Sequence, residues 1–155
     1  MSIDLQDFIT HAMKAARAER LKQSDQLTLG ELILKIEVIA NKPKGKEKEG
    51  PFVYYDFEYL YPTYIDSWRG SYDELALNFC YSRDSKNPPL TVVKFLKLLR
   101  DAVGKTFTGY KGGDFMMGKQ TPVWVANHGN SGNTAVIDVV DGDYSVILIT
   151  AYRDF

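Results

Sequence analysis

The chain has 155 residues, 45% of them apolar and 25% charged, with a net charge of −1 and a single cysteine. That length suits one domain, residues 1–155, whose core needs no metal or disulfide staple. The near-zero charge leaves no footprint for long nucleic acid or an anionic membrane, and the lone Cys80 excludes an internal disulfide and fits a reducing compartment.

No apolar run approaches the roughly 18 residues of a membrane span. The opening MSIDLQDFIT lacks the basic-then-apolar layout of a secretory leader, so a cytoplasmic location is expected. Ten tyrosines, eight phenylalanines and two tryptophans exceed the needs of a small core. Tyr and Trp carry polar tips and suit half-wet surfaces.

Residues 3–23 form the first helical candidate. Leu5, Phe8, Ala12, Ala15 and Ala16 fall at helical spacing, while Lys14, Arg17, Arg20 and Lys22 occupy other positions. The stripe is thin and alanine-rich, which lets another element approach closely. Such a helix is peripheral to the domain or used for assembly, and a homo-oligomer is the expectation. A core helix follows at 28–40, with Thr28 and Glu31 forming a capping box and Leu29, Leu32, Ile33 and Ile36 one apolar face. The charged run KPKGKEKEG reads as a solvated loop.

FVYYDFEY (52–59) alternates as a strand with Val53, Tyr55, Phe57 and Tyr59 on one face. Residues 72–81 resume as a strand after breaks at Pro62 and Gly70, and the two read as a long-looped hairpin. A second core helix begins after Thr91, with Val92, Phe95, Leu96 and Leu99 as its stripe and Gly104 at its end. Strands are expected at 122–126, 134–140 and 143–152, the last two joined by an Asp141–Gly142 turn. The order predicts an α+β domain, an antiparallel sheet with helices packed on one face, plus the N-terminal helix.

Enzyme motifs are scarce. His11 and His128 have no partner at metal-ligand spacing, so no metal site and no cofactor are expected. Cys80 sits mid-strand and reads as a buried structural thiol. Asp56 and Glu58 share a strand face; such a pair does acid–base work or, more often, keeps an exposed face soluble.

The positive pattern lies in three loops that combine an aromatic, a polar donor and a glycine. WRGSY (68–72) places a guanidinium fork at Arg69 between Trp68 and Tyr72. GYKGGD (109–114) joins the flat face of Tyr110 and the charge of Lys111 to Gly112 and Gly113, whose amides can form an anion-binding nest. VWVANHG (123–129) adds Trp124, Asn127 and His128. Rings for a base, cations and N–H groups for phosphate, and Asn127 for polar edges suit a nucleotide-like ligand. Against this, Trp68 and Trp124 also suit a core, Arg69 suits a pair with Asp66 or Asp73, and His128 suits a turn.

In these blocks, SWRGSYDELAL, GKTFTGYKGGDF and TPVWVAN, the chain resembles small uncharacterised proteins encoded in bacteriophage genomes, over roughly residues 52–155. The resemblance assigns no residue a role. It implies a host-takeover or anti-defence factor, acting in the cytoplasm of a host cell. Some such factors are sponges for cyclic-nucleotide or ADP-ribose-type immune signals. The expected function is therefore a non-catalytic binder of a small phosphorylated ligand. The alternatives are an inhibitor of a host protein and a nucleotide phosphodiesterase or hydrolase using Asp56, Glu58 or His128.

Overall fold

A computed structural model of the chain describes residues 26–42, 49–57, 60–67, 74–80, 86–108, 113–126, 133–142 and 144–153. The helix expected at 3–23 lies outside the described residues. Within them the fold is α+β, with two helices, a six-stranded sheet and a separate two-stranded hairpin.

Helix α1, Leu29–Ala40, starts at the expected capping box. The Thr28 hydroxyl accepts from the Glu31 amide at 3.3 Å, and the Glu31 carboxylate accepts from the Thr28 amide at 3.1 Å. Helix α2, Val92–Ala102, starts where the Thr91 hydroxyl accepts from the Lys94 amide. It stops at Gly104, whose φ of 79° suits glycine and whose amide donates to the Met117 carbonyl. The helices lie side by side, joined at the surface by Arg100 and Glu37 at 2.6 Å. Leu32, Ile36, Phe95 and Leu99 bury against one sheet face made by Val53, Leu75, Leu77, Val125, Val136, Val146 and Leu148.

The strands are β1 (Phe52–Tyr55), β2 (Ile65–Asp66), β3 (Ala76–Leu77), β4 (Thr106–Thr108), β5 (Asp114–Met116), β6 (Trp124–Val125), β7 (Thr134–Asp141) and β8 (Ser145–Tyr152). The large sheet runs β1-β8-β7-β6-β3-β2, and β4 pairs with β5 alone. The sheet is mixed rather than wholly antiparallel, because β1 runs parallel to β8 and β3 runs parallel to β6. A parallel pair needs a long crossover. Helix α2 and the β4–β5 hairpin supply it between β3 and β6.

The hairpin expected between 52–59 and 72–81 is not the one that forms. The chain turns back after β1, where Leu60 donates to Phe57 and Tyr55 donates to Leu60. Residues 61–67 then run antiparallel to 74–80, through Tyr61 with Cys80, Tyr64 with Asn78 and Ser67 with Glu74. Alternation showed both segments extended, but it carries no partner information.

The chain just before α1 enters the sheet. Leu27 donates to the Val136 carbonyl at 2.9 Å and accepts from the Val123 amide at 3.0 Å. The register of β7 against β8 shifts at this point, between Val136 and Asp138. Leu27 itself inserts on the other side of β7, between Val123 and Val136, and its side chain joins the main core.

The β7–β8 turn is tight. Gly142 donates to the Ser145 carbonyl at 2.9 Å, and a Cβ on Gly142 would stand 2.7 Å from that same oxygen. Gly142→Ala is expected to lower stability by about 1–3 kcal/mol. In urea this reads as a lower midpoint at unchanged m-value; an unchanged midpoint would show that the turn opens without cost.

Candidate functional site

The segment 68–73 is carried on the pair 61–67 and 74–80, and one side chain holds that pair in shape. Asn78 is 6% exposed. Its amide oxygen accepts from the Thr63 and Tyr64 amides at 2.6 and 2.7 Å. Its amide nitrogen donates to the Thr63 hydroxyl at 2.7 Å and points to the Cys80 sulfur at 3.4 Å. Its carbonyl accepts from the Tyr55 hydroxyl at 2.7 Å, which ties β1 to the same knot. Pro62 donates no hydrogen bond. Asn78 anchors the chain immediately after it.

Burial pushes the Tyr55 hydroxyl well above its ordinary pKa, and the nearby Cys80 thiol pushes it the same way. Cys80 is buried and contacts the Thr63 hydroxyl as well as Asn78. The reading of Cys80 as a structural thiol therefore fits its position.

Above this knot the roots of two loops are joined. Ser67 donates its amide to Asp66 at 2.6 Å and accepts from the Glu74 amide at 3.1 Å across the pair. Its hydroxyl donates to the Thr108 carbonyl at 3.0 Å. Thr108 ends β4 and its hydroxyl donates to Asp114, the first residue of β5, at 3.0 Å. So Ser67 and Thr108, the residues just before segments 68–73 and 109–112, are joined by a hydrogen bond.

Trp68, Arg69, Tyr72, Tyr110, Lys111, Gly112, Asn127 and His128 lie outside the described residues. Gly113 is exposed, and a Cβ there would meet nothing within 4 Å, so packing does not demand a glycine. Trp124 is 1% exposed. Its indole N–H donates to Glu74 at 2.8 Å, and its ring packs among Ala76, Ala126 and Ala135. Trp124 is thus a core residue, as the competing reading of its sequence context allowed; a ring this enclosed offers no face for stacking a base.

The third loop is anchored differently. Because β3 and β6 are parallel, segment 68–73 leads into one end of that pair and segment 127–132 leaves from the other. The described anchors join Ser67 and Thr108, which precede the first two segments, and put Ala126, which precedes the third, at the other end of the β3–β6 pair.

The joined roots carry acidic side chains. Asp66, Glu74 and Asp114 each accept a hydrogen bond there. Among the described residues no group of His, Cys, Asp and Glu is arranged to hold a metal ion. Asp56, the candidate acid–base residue, uses both oxygens to brace β8, accepting from the Thr150 hydroxyl at 2.6 Å and from its amide at 3.0 Å. Glu58 lies outside the described residues. No described helix is long and apolar enough to cross a membrane.

Nothing in the sequence singled out Asn78 or Ser67. The signal available was an asparagine in the middle of an apolar strand, a position that is disfavoured unless its amide is fully bonded.

Family models, curated proteins and solved structures were compared with the chain, and none matches.

Asn78→Ala removes the partner of two part-buried backbone amides and leaves a void at a buried position, and is expected to cost about 1–3 kcal/mol; a loss no larger than that of ordinary surface substitutions in urea unfolding would show that the knot is dispensable. Tyr55→Phe is expected to cost about 1–2 kcal/mol at neutral pH. The folded pKa of Tyr55 is raised, so its contribution is complete below the unfolded value of about 10 and is lost as pH rises above it. The wild type should therefore lose stability above about pH 10, and Tyr55→Phe should lose less; equal alkaline slopes would contradict the assignment.

Proposed function

We propose that the chain is a non-catalytic binder of a small phosphorylated, nucleotide-like ligand, held between segments 68–73 and 109–112. The observation that carries this reading is the Ser67 hydroxyl bonded to the Thr108 carbonyl at 3.0 Å, which sets the roots of these two segments side by side. Arg69 and Lys111 supply the charge for phosphate, Arg69 through a planar fork and Lys111 as a point charge. Trp68, Tyr72 and Tyr110 supply ring faces, and the amides of Gly112 and Gly113 a nest for oxygen. Trp124 has no part in it. The resemblance to phage-encoded proteins makes sequestration of a host immune signal the biological role this binding would serve.

Calorimetry against cyclic dinucleotides and ADP-ribose isomers is the direct test. Binding at micromolar affinity or tighter to at least one is expected. Arg69→Ala and Lys111→Ala should each weaken it by about tenfold or more, the scale of one lost charge-assisted hydrogen bond. Asn127→Ala decides whether the third segment, which leaves the opposite end of the β3–β6 pair, takes part: a loss of affinity adds Asn127 to the site and an unchanged affinity leaves it out. Absence of micromolar binding to every member of the panel would overturn the reading.

A second reading, inhibition of a host protein, draws on a different place. Phe52, Val140 and Tyr144 are 46%, 47% and 92% exposed. The registers Phe52 with Ser145 and Val140 with Ile147 put them at one end of the sheet. Exposed apolar and aromatic groups gathered this way mark interfaces. A stoichiometric bacterial protein retained by the wild type and lost with Tyr144→Glu supports it; retention by both excludes this patch.

A further inference from the structure

Helix α1 is apolar nearly all round. Its buried side carries Leu29, Leu32, Ile33, Ile36, Ile39 and Ala40. Leu34 and Val38 are apolar too, yet they are 63% and 64% exposed. At about 100° per residue their common direction lies opposite Ile36, which is wholly buried. They therefore form the crest of the helix, not the margin of its buried side. Helix α2 shows how a solvated crest is built in this protein. Its exposed positions are Lys94, Lys97, Arg100 and Asp101, and Lys97 pairs with Asp101 at 2.6 Å. A helix that is apolar on every side suits a place between two packing layers, and the sheet supplies α1 with one of them.

We propose that the crest of α1 is a self-association surface, on which a second copy of this chain lays its own α1 antiparallel about a two-fold axis. The charge along the crest selects this occupant. In chain order the crest runs Glu31, Leu34, Val38, Lys42, all exposed: an acid, two apolar side chains and a base. Ile36 lies midway between Leu34 and Val38, and Glu31 and Lys42 stand almost equally far to either side of it. Reversing the helix about that midpoint sets Leu34 against Val38 of the partner subunit and Glu31 against Lys42 of the partner subunit. The two-fold makes each contact twice. A parallel pair would instead set like charges against each other.

The sides of the helix permit this approach. By the helical period Glu31 and Lys42 fall on the same flank, the one toward β7, so the two-fold brings them to one side of the contact. Lys42 reaches Asp141 of its own chain at 2.7 Å with 55% of its side chain still exposed. Glu31 gives Oε1 to the capping box, and a carboxylate accepts at both oxygens. The remaining charges are balanced within each chain, Lys35 by Asp138 at 3.3 Å and Glu37 by Arg100 at 2.6 Å, so neither flank repels a copy of itself. α1 is about 18 Å long, which puts the contact at the small end of specific interfaces. The pair is therefore expected to form between micromolar and submillimolar chain. This gives the expected homo-oligomer a surface among the described residues.

Sedimentation velocity on the full chain, from low micromolar to submillimolar concentration, reads the state. The wild type should pass from monomer to dimer over that range. Leu34→Glu should weaken the dimer by about tenfold or more, with the urea midpoint of the wild type because Leu34 is exposed. Glu31→Gln keeps an acceptor for the capping box and should weaken the dimer by about threefold. Disulfide trapping in a Cys80→Ser background reads the orientation. Chains with Leu34→Cys and chains with Val38→Cys, mixed and oxidised, should yield mainly the mixed disulfide. A wild type that stays monomeric throughout, or a dimer that Leu34→Glu leaves untouched, would overturn the proposal and leave the crest to a foreign protein. A predominance of Leu34→Cys chains joined to one another would show a parallel pair and overturn the arrangement that the charges require.

Discussion

One carboxamide organises the half of the sheet that matters most here. Asn78 uses both functional ends of its side chain and its own carbonyl to hold Thr63, Tyr64, Cys80 and Tyr55. A buried amide in an apolar strand is unfavourable unless each end is bonded, and here each end is. The constraint is directional where apolar contact is not. It fixes which residue of 61–67 stands opposite which residue of 74–80, and so fixes where Ser67 and Glu74 come to rest. The Ser67 bond to Thr108 depends on that register, because a slip of one residue would turn Ser67 to the opposite face.

The other local device is the insertion of Leu27 between β6 and β7. Val136 turns its amide and its carbonyl toward β6; the amide donates to Val123, and Leu27 takes the carbonyl and in turn accepts from the Val123 amide. The start of α1 is then set by two independent anchors, the backbone pairing of Leu27 and the capping box at Thr28. Lys35 with Asp138 and Lys42 with Asp141 follow along the same edge. The amide of Val139 and the charge of Lys35 hold the Asp138 carboxyl below its ordinary pKa. These pairs are exposed and add little stability of their own.

Much of the fold was legible in the residues. Both helices and their caps follow from Thr28, Glu31, Thr91 and the spacing of apolar positions, because those signals are local. The Asp141–Gly142 turn was legible for the same reason. Strand partners were not. Val53 and Tyr55 alternate correctly toward the core whether β1 pairs with β3 or with β8, so the pattern is blind to the difference. Trp124 was ambiguous for a related reason: a tryptophan beside valines suits a wet platform or a dry core, and only the alanines brought over it from three strands decide for the core. Of the two loops whose roots meet, the sequence showed the resemblance in composition between them. The contact itself rests on a serine hydroxyl and a backbone carbonyl, which leave no trace in composition.

The parallel partnership of β1 with β8 has a consequence for how the protein comes into being. During synthesis β1 emerges long before β8, the strand that fills the place between it and β7. Until then Val53 and Tyr55 lack their neighbouring strand, and the helices can pack only on the part of the sheet made by β3, β6 and β7. Contacts that span so much of the chain slow folding and lengthen the exposure of apolar surface. A ribosome paused before β8 would thus carry a chain with both helices complete and its sheet still divided.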